Sequence, residues 1–254
     1  MITNKSKYNI ANQSSESELS SKEELLGLLR SCPIPDDELM SSLSLFLNRQ
    51  YLSRILFLSE MYKKQLDVQG VTMEFGVRWG SNISIMKMLH GIYEPYNVYR
   101  KIIGFDTFTG FPSVDKKDGS DEMIQVGGHG VSDDYEVFLD SVLGYHEKNA
   151  PISHIKKYEL IKGDASATLK QYLDVNPETI ISFAYFDFDI YQPTKDCLSL
   201  VMERVTKGSI VAFDELNYPK FPGETLALIE VLGLSKYAIK RSPHSDCVSY
   251  FVVD

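Results

Sequence analysis

Two pairs of acidic residues follow apolar runs in the second half of the chain. Asp187 and Asp189 stand in FDFDIYQPT after the run ISFAYF, and Asp214 and Glu215 stand in FDELNY after SIVAF. Such runs are typical of buried strands, and the carboxyl ends of neighbouring parallel strands open into one crevice. Carboxylates gathered there repel one another, so a hard divalent cation with oxygen ligands is the simplest neutraliser. The alternative is that each acid caps the loop or helix that follows it.

Strand and helix patterns alternate from Val71 onward and would position these acids. The strand-like segments are VTMEFG, RKIIGFD, YELIKGDA, IISFAYFDFD and SIVAFDE, and the helical ones are SNISIMKMLHGIY, ASATLKQYL, PTKDCLSLVMERV and GETLALIEVLG. This alternation predicts right-handed crossovers and a parallel sheet with helices on both faces. YAIKRSP and CVSYFVV are separated only by a polar turn and predict a closing hairpin. The predicted fold is therefore α/β and Rossmann-like, with seven strands and an antiparallel C-terminal strand.

Composition and periodicity divide the chain into three parts. Residues 1–19 are polar and rich in Ser and Asn, which predicts a disordered tail. Residues 20–70 repeat apolar residues at spacings of three and four, which predicts a helical extension that packs on the core or serves as a lid or dimer contact. Residues 71–254 form the alternating domain. Its insertion, residues 111–151, is interpreted as a lid over the crevice, with a solvated surface excursion as the alternative.

The charge balance narrows the possible partners. The chain has 26 basic and 35 acidic residues and a formal net charge of -9. This balance argues against nucleic acid and favours a small-molecule substrate. No apolar stretch approaches the length of a bilayer span and the first residues lack a signal-peptide core, so we expect no membrane partner and a cytoplasmic location.

The turn after the first predicted strand, MEFGVRWGSN, is a candidate cofactor site. Glycines let a backbone approach a ligand closely, and the helix N-terminus at Ser81 offers unpaired N–H donors. The turn lacks the G-x-G-x-x-G pattern of dinucleotide-binding domains. Glu74 followed by Gly76 and Gly80 suits a cofactor with an amino-acid end rather than a pyrophosphate.

Two further acids end the next predicted strands. Asp106, followed by Thr107 in GFDTFTGFP, could bind both ribose hydroxyls of an adenosine or could cap its own loop. Asp164, between Gly163 and Ala165 in KGDASATL, could face an adenine, act as the N-cap of the following helix, or do both. Acidic strand ends in this order are more specific than any single one.

The motifs FGVRWGSN, GFDTFTGFP, KGDASATL, FDFDIYQPTKDCL and GSIVAFDELN before PGET resemble, in order and spacing, the macrocin O-methyltransferase family of TylF, MycF and NovP type. The resemblance extends from Met73 to Glu224. It implies a class I S-adenosylmethionine-dependent methyltransferase fold and a bound Mg²⁺ or Mn²⁺. It also implies methylation of a hydroxyl, typically of a sugar, so the expected acceptor is a carbohydrate. The apolar faces of the extension, outside the resemblance, predict a contact with a second copy in a homodimer or higher homo-oligomer.

Roles for single residues follow from the resemblance. Asp187 would be a metal ligand and a candidate general base, with Asp189 as the other base candidate. Asp214 and Glu215 would complete the metal ligands, although relatives often carry Asp or Asn in place of Glu215. The predicted cofactor-binding residues are Glu74, Gly76, Gly80, Ser81, Asp106, Thr107, Gly163, Asp164, Ala165 and Asp187.

Alternatives stay open at this stage. His129 and His146 are spare candidates for the base. The acceptor could be a small phosphorylated or phosphoramidate-type compound instead of a sugar. A non-methylating metal-dependent hydrolase would use the same carboxylates, although it has no need of the glycine turn or of Asp106. A binding protein without turnover is disfavoured by the intact acids.

Overall fold

The computed structural model describes residues 15–245 and 247–254, which form eight α-helices and seven strands. The helices are α1 (Glu16–Arg30), α2 (Asp36–Ser42), α3 (Arg49–Gln65), α4 (Ser81–Tyr93), α5 (Tyr135–Lys148), α6 (Ala165–Val175), α7 (Tyr191–Met202) and α8 (Gly223–Leu232). The strands are β1 (Val71–Phe75), β2 (Ile102–Asp106), β3 (Tyr158–Lys162), β4 (Ile181–Phe186), β5 (Val205–Phe213), β6 (Lys240–Arg241) and β7 (Ser249–Val252).

One sheet contains all seven strands in the order β3-β2-β1-β4-β5-β7-β6. Strands β1 to β5 pair in parallel, whereas β7 is antiparallel to both β5 and β6. The predicted fold class is therefore confirmed. The direction of winding reverses between β1 and β4, and in such sheets the crevice at the carboxyl ends of the strands is the usual binding site.

The centre of the sheet is covered on both faces. All six residues of β4 are buried, as expected for a parallel strand between two helical layers. Phe183 and Tyr185 belong to the core with α3, α4 and α5, and Ala184 and Phe186 to the opposite core. Stacked phenylalanine rings with centroids 4.7 to 5.2 Å apart link four strands near their carboxyl ends: Phe105, Phe75, Phe186 and Phe213. This packing fixes the strand ends that carry the acids.

The helical extension starts earlier than predicted. Most of the predicted tail, residues 1–14, lies outside the described residues, but α1 already includes residues 16–19. A capping box sets its start, because the Ser15 hydroxyl accepts from the Glu18 N–H and the Glu18 carboxylate accepts from the Ser15 N–H. Because the segment is polar, its composition predicts disorder although it contains the Ser15–Glu18 capping box.

The second half of the extension contains two helices. A 3-10 turn, Leu43–Phe46, separates α2 from α3, and Asn48 restarts the helix by accepting from the Tyr51 N–H at 2.8 Å. α3 buries a face against the core, whereas α1, α2 and the 3-10 turn bury no residue. The extension therefore has one part in the core and one part on the outside.

The insertion 111–151, interpreted above as a lid, has two parts with different surroundings. Its second part contains α5, a crossover helix between β2 and β3 whose Leu139 and Leu143 lie in the core. Its first part is tied to the domain by Asp118, which is buried and accepts a hydrogen bond from the Tyr191 N–H at 2.6 Å. Within the part of the chain that the structure describes, no helix is both long and apolar enough to cross a membrane.

Candidate active site

A cavity of about 380 Å³ opens at the carboxyl ends of the parallel strands. Its size is in the range of small-molecule sites. Most of the predicted site residues line it: Gly76, Ser81, Asp106, Thr107, Gly163, Asp164, Ala165, Asp187, Asp189, Asp214 and Glu215. The sheet therefore brings together residues that are dispersed over more than half of the chain. Glu74 and Gly80 are the two predicted residues outside the cavity wall.

Glu74 lies beneath the cavity rather than in its wall. It is fully buried, and neither of its carboxylate oxygens has a hydrogen-bond partner among the described residues. Burial, followed by the negative charge of Asp187, holds the pKa of Glu74 well above its ordinary value. Glu74 is therefore positioned below the residues that line the cavity, and its predicted contact with the cofactor stays a prediction.

The two glycines of the turn after β1 serve different purposes. Gly76 has φ 94°, and a Cβ there would lie 2.0 Å from the carbonyl oxygen of Asp187. Glycine therefore lets the β1 turn touch the loop after β4. Gly80 has φ 77° at the start of α4, and a Cβ there would lie 2.3 Å from Leu139 of α5. Gly80 thus has a packing role, and its predicted contact with the cofactor stays a prediction.

Asp106 combines loop capping with a place in the cavity wall. Its two carboxylate oxygens accept hydrogen bonds from the N–H groups of Arg78, at 2.7 Å, and Phe108, at 2.5 Å. Burial raises the pKa of Asp106, and these N–H groups oppose the rise. Asp164 likewise caps α6 through the Ser166 N–H at 3.0 Å while lining the cavity. Both interpretations of each acid are compatible in the folded chain.

A guanidinium group lies between the two acidic strand ends. Arg54 of α3 places Nη2 2.9 Å from the carboxylate of Asp214 and Nη1 3.4 Å from Oδ2 of Asp187. Nη1 also donates to the Tyr185 hydroxyl at 3.0 Å, and that hydroxyl donates to Asp214. Positive charge thus comes from an arginine where the sequence predicts a metal ion. No local pattern marks Arg54, which is 133 residues from Asp187 along the chain.

The remaining acids of the cavity have other surroundings. Asp189 lies with Oδ2 3.0 Å from Nδ1 of His129, which the first part of the insertion contributes. One oxygen of Glu215 is buried without a hydrogen-bond partner among the described residues. Burial and then the charge of Asp189 raise the pKa of Glu215 to about 12, and burial and then Asp214 raise that of Asp187 well above its usual range. The cavity therefore contains more carboxylates than cations.

A fully buried carboxylate joins the two acidic loops. Glu224, at the start of α8, accepts from the N–H groups of Phe188 at 3.0 Å and Asp189 at 3.3 Å through Oε1. Its Oε2 accepts from the Glu215 N–H at 3.2 Å. One side chain therefore sets the spacing of the loops after β4 and β5. The only sequence signal is an acid in PGET at the start of a helix, which does not reveal its partners.

Comparison with known proteins places the chain in a family. No protein-family model and no curated protein matches it. The crystal structure of CalS11, calicheamicin methyltransferase, is 42% identical, covers 95% of this chain and 94% of its own, and superposes with a TM-score of 0.93. The apo structure of CalS11, described as a TDP-rhamnose 3'-O-methyltransferase, is 40% identical over 95% and 96% of the two chains, with a TM-score of 0.84. The chain belongs to the CalS11 family of O-methyltransferases.

Family membership tests part of the function that the sequence predicts. The protein is an O-methyltransferase, as predicted, and the alternative of a non-methylating hydrolase is wrong. The O-methyltransferase NovP is 16% identical over 79% of both chains with a TM-score of 0.56, which shows a shared fold alone. The narrower macrocin-type assignment stays a prediction.

The acids at the two strand ends of this O-methyltransferase, Asp187, Asp189, Asp214 and Glu215, are called the acidic cluster below. Within residues 15–245 and 247–254, no three His, Cys, Asp or Glu side chains converge closely enough to hold a metal ion in this arrangement. The donors are nevertheless the carboxylates that a hard divalent cation prefers, and one Glu215 oxygen is buried and unpartnered. In donor chemistry the residues fit such a cation, although Arg54 contacts two of the carboxylates, Asp187 and Asp214.

Proposed function

We propose that the protein transfers a methyl group from S-adenosylmethionine to a hydroxyl of a sugar or sugar-containing compound, with a divalent cation in the acidic cluster. One observation carries the proposal: a single cavity joins the glycine turn and Asp106 at one end to Asp187 and Asp214 at the other. The chain is 40% identical in sequence to CalS11, which is described as a TDP-rhamnose 3'-O-methyltransferase, and this similarity supports a carbohydrate acceptor.

The cofactor would occupy the end of the cavity formed by β1, β2 and β3. Gly76 and the N-terminus of α4 at Ser81 would hold its amino-acid end, Asp106 and Thr107 its ribose, and the Gly163-Asp164-Ala165 turn its adenine. The acidic surroundings favour a sulfonium cation over a phosphate-bearing cofactor. Asp187 would border the methyl group, since the Gly76 turn touches its backbone.

Asp187, Asp214 and Glu215 would hold Mg²⁺ or Mn²⁺ when it is bound. Such an ion lowers the pKa of a coordinated hydroxyl and fixes its direction. Asp187 or Asp189 would accept the proton, and His129 would orient the Asp189 carboxylate from 3.0 Å. Phe111 and Pro112 line the cavity and would exclude water from the transfer.

The cluster also bears on the choice of acceptor. A phosphoryl group next to the reacting hydroxyl would compete with that hydroxyl for the divalent cation and would be repelled by Asp189, which is not among the proposed metal ligands. A neutral sugar hydroxyl avoids this repulsion, so it is favoured over a small phosphorylated or phosphoramidate-type acceptor. A phosphate farther along the acceptor, as in a nucleotide-linked sugar, is compatible with this arrangement.

Calorimetry with S-adenosylhomocysteine, with Mg²⁺ and with a chelator, tests the cofactor site without an acceptor. We expect binding in both conditions and turnover on nucleotide-linked deoxysugars only with the metal. Absence of binding in both conditions would refute the proposal. Turnover that is unaffected by the chelator would remove the metal from it while leaving the methyl transfer.

The proposal includes a cytoplasmic homodimer. The outer part of the extension supports the dimer, since α1, α2 and the 3-10 turn bury nothing within one chain. Light scattering of the purified full chain would measure its mass directly.

A further inference from the structure

The positive charge in the acidic cluster is the guanidinium group of Arg54, which a helix outside the sheet contributes. Arg54 is part of α3, which is anchored in the core by residues that are at most 2% exposed: Phe57, Leu58, Met61 and Tyr62. Because Arg54 precedes Phe57 by about one turn, its backbone is held in place. Its side chain extends into the cavity and stays 29% exposed. The backbone is therefore fixed while the end of the side chain has room to move.

The guanidinium group uses the oxygens that a metal ion would need. Its two terminal nitrogens contact Asp187 and Asp214 separately, and Nη1 also donates to the hydroxyl of Tyr185. The planar fork of arginine suits such a pair of acceptors. A metal ion bound by the same two carboxylates would share their lone pairs and would repel the guanidinium at close range. The two cations are thus mutually exclusive.

Arg54 does not reach every acid of the cluster. It contacts Asp187 and Asp214, and His129 contacts Asp189, but one Glu215 oxygen remains buried and unpartnered. A divalent ion brings one more positive charge than a guanidinium and accepts oxygen ligands from several directions. Exchange of the arginine for the ion would therefore satisfy a carboxylate that the arginine does not reach.

We propose that Arg54 and the divalent cation are alternative occupants of the acidic cluster, so that metal binding requires the Arg54 side chain to withdraw. The inference rests on the proposed metal-dependent function. Without metal, Arg54 keeps Asp187 and Asp214 together and limits their repulsion. With metal, the guanidinium moves into the cavity without displacement of α3. Arg54 is a positioning residue. Because it occupies the cluster in part of the chains, the apparent metal affinity is the intrinsic affinity multiplied by the fraction of chains in which the cluster is free.

Metal affinity measured without any reaction tests this competition. Free Mn²⁺ would be followed by electron paramagnetic resonance during titration of the full-length wild type, Arg54→Gln and Arg54→Ala. We expect both variants to bind Mn²⁺ about tenfold more tightly than the wild type, or tighter still, because no cation has to leave. Gain of affinity is the informative result, since a merely structural role for Arg54 predicts a loss.

Control variants locate the effect. Arg49→Gln removes an exposed arginine from the first turn of α3 and should leave the Mn²⁺ affinity unchanged. Asp187→Asn should abolish tight binding, which would place the ion in the acidic cluster. Arg54→Lys keeps the charge but loses the fork, so it should bind Mn²⁺ with an affinity between those of the wild type and Arg54→Gln. Thermal unfolding of each variant confirms that it is folded.

Two failures are distinguishable. If the wild type binds Mn²⁺ and neither Arg54 variant binds it more tightly, the competition is refuted and the metal-dependent function stands. If the wild type and both Arg54 variants fail to bind Mn²⁺, the metal part of the proposed function falls, and the inference falls with it.

Discussion

At the scale of single residues, neighbouring strand ends carry acids with different duties. Asp106 is engaged by two backbone N–H groups, whereas Asp187 faces the Arg54 guanidinium and the Asn82 amide. The first arrangement fixes the loop after β2, and the second pairs a carboxylate with a cation and an amide, where we propose that a metal ion exchanges with the arginine. Substitution of Asp106 should therefore affect mainly cofactor binding, and substitution of Asp187 should affect mainly turnover.

Asp187→Asn should lower kcat by about 100-fold or more, because it removes a carboxylate proposed to hold the metal and to accept the proton. The affinity for S-adenosylhomocysteine should stay nearly unchanged, since the cofactor is proposed to bind mainly to other strands. Steady-state kinetics and calorimetry on the same preparation measure both. Unchanged turnover would remove Asp187 from the reaction.

Asp106→Asn should weaken S-adenosylhomocysteine binding by about tenfold or more, because a charged acceptor for the ribose hydroxyls is lost. The amide oxygen still accepts one backbone N–H, so the loop retains part of its structure. Calorimetry provides the affinity, and circular dichroism checks the fold. Wild-type affinity in a folded variant would contradict the assigned ribose contact.

Gly76→Ala should destabilise the protein by about 1–3 kcal/mol or more, since a Cβ at φ 94° would lie 2.0 Å from the Asp187 carbonyl oxygen. Gly27→Ala is the matched control, because a Cβ there meets nothing within 4 Å and lies in α1. It should be neutral or slightly stabilising. Urea unfolding distinguishes the two, and equal stabilities would contradict the close approach of the loops.

At the scale of elements, one helix start and one buried ion cluster hold the site in register. Glu224 of α8 connects the loops after β4 and β5 through three backbone N–H groups. On the other face, Glu147 of α5 bridges Lys87 of α4 and Lys157 before β3. Both are interior contacts between elements that no local sequence pattern connects.

Glu224→Gln should reduce kcat and lower stability by about 1–3 kcal/mol, because one oxygen becomes an NH₂ group and a buried N–H loses its acceptor. The S-adenosylhomocysteine affinity should change less, since Glu224 spaces the acidic loops rather than the cofactor turn. Glu230→Gln on the same helix is the control, with a side chain that is 43% exposed. Equal effects of the two substitutions would argue against the role of Glu224.

Glu147→Gln should cost about 3–5 kcal/mol, because it leaves two buried ammonium groups without a counter-charge. Glu60→Gln breaks an exposed pair with Lys64 and should cost at most about 1 kcal/mol. Denaturant unfolding of both variants measures the difference. A loss at Glu147 no larger than that at Glu60 would contradict the buried cluster.

We expect the Glu147 carboxylate to make the stability of the protein depend on pH. Burial raises the pKa of Glu147, but the hydrogen bonds from Lys157 and the charge of Lys87 outweigh it, so the pKa is lowered from 4.5. Its contribution to stability is therefore present above pH 4.5 and is lost as the pH falls through the lowered value. The difference in stability between wild type and Glu147→Gln should shrink over that window.

At the scale of the whole molecule, we expect the outer part of the extension to be separable from the rest of the chain. α1, α2 and the 3-10 turn expose large apolar side chains, which include Leu26, Leu28, Met40 and Leu45. Removal of residues 1–47 should leave the core folded, with Asn48 still able to cap α3, but should convert the proposed dimer to a monomer. Light scattering measures this, and an unchanged mass would place the dimer contact elsewhere.

The sequence by itself determined the sheet, the helices α4, α6, α7 and α8, and the acids at the strand ends. These features follow from periodicity and from the residue next in the chain, so a local pattern is sufficient to predict them. The sequence also indicated the family through motifs such as FDFDIYQPT. The 42% sequence identity to CalS11 supports this assignment at the level of O-methyltransferases.

Only the tertiary structure decided what surrounds those acids. Arg54 reaches Asp187 across 133 residues, and Glu224 reaches Asp189 across 35. The tertiary structure also showed that Glu74 is fully buried and that Leu139 and Leu143 of α5 lie in the core. The reason is physical: which charges meet at a strand end depends on how distant segments pack, and packing leaves no periodic signal in the chain.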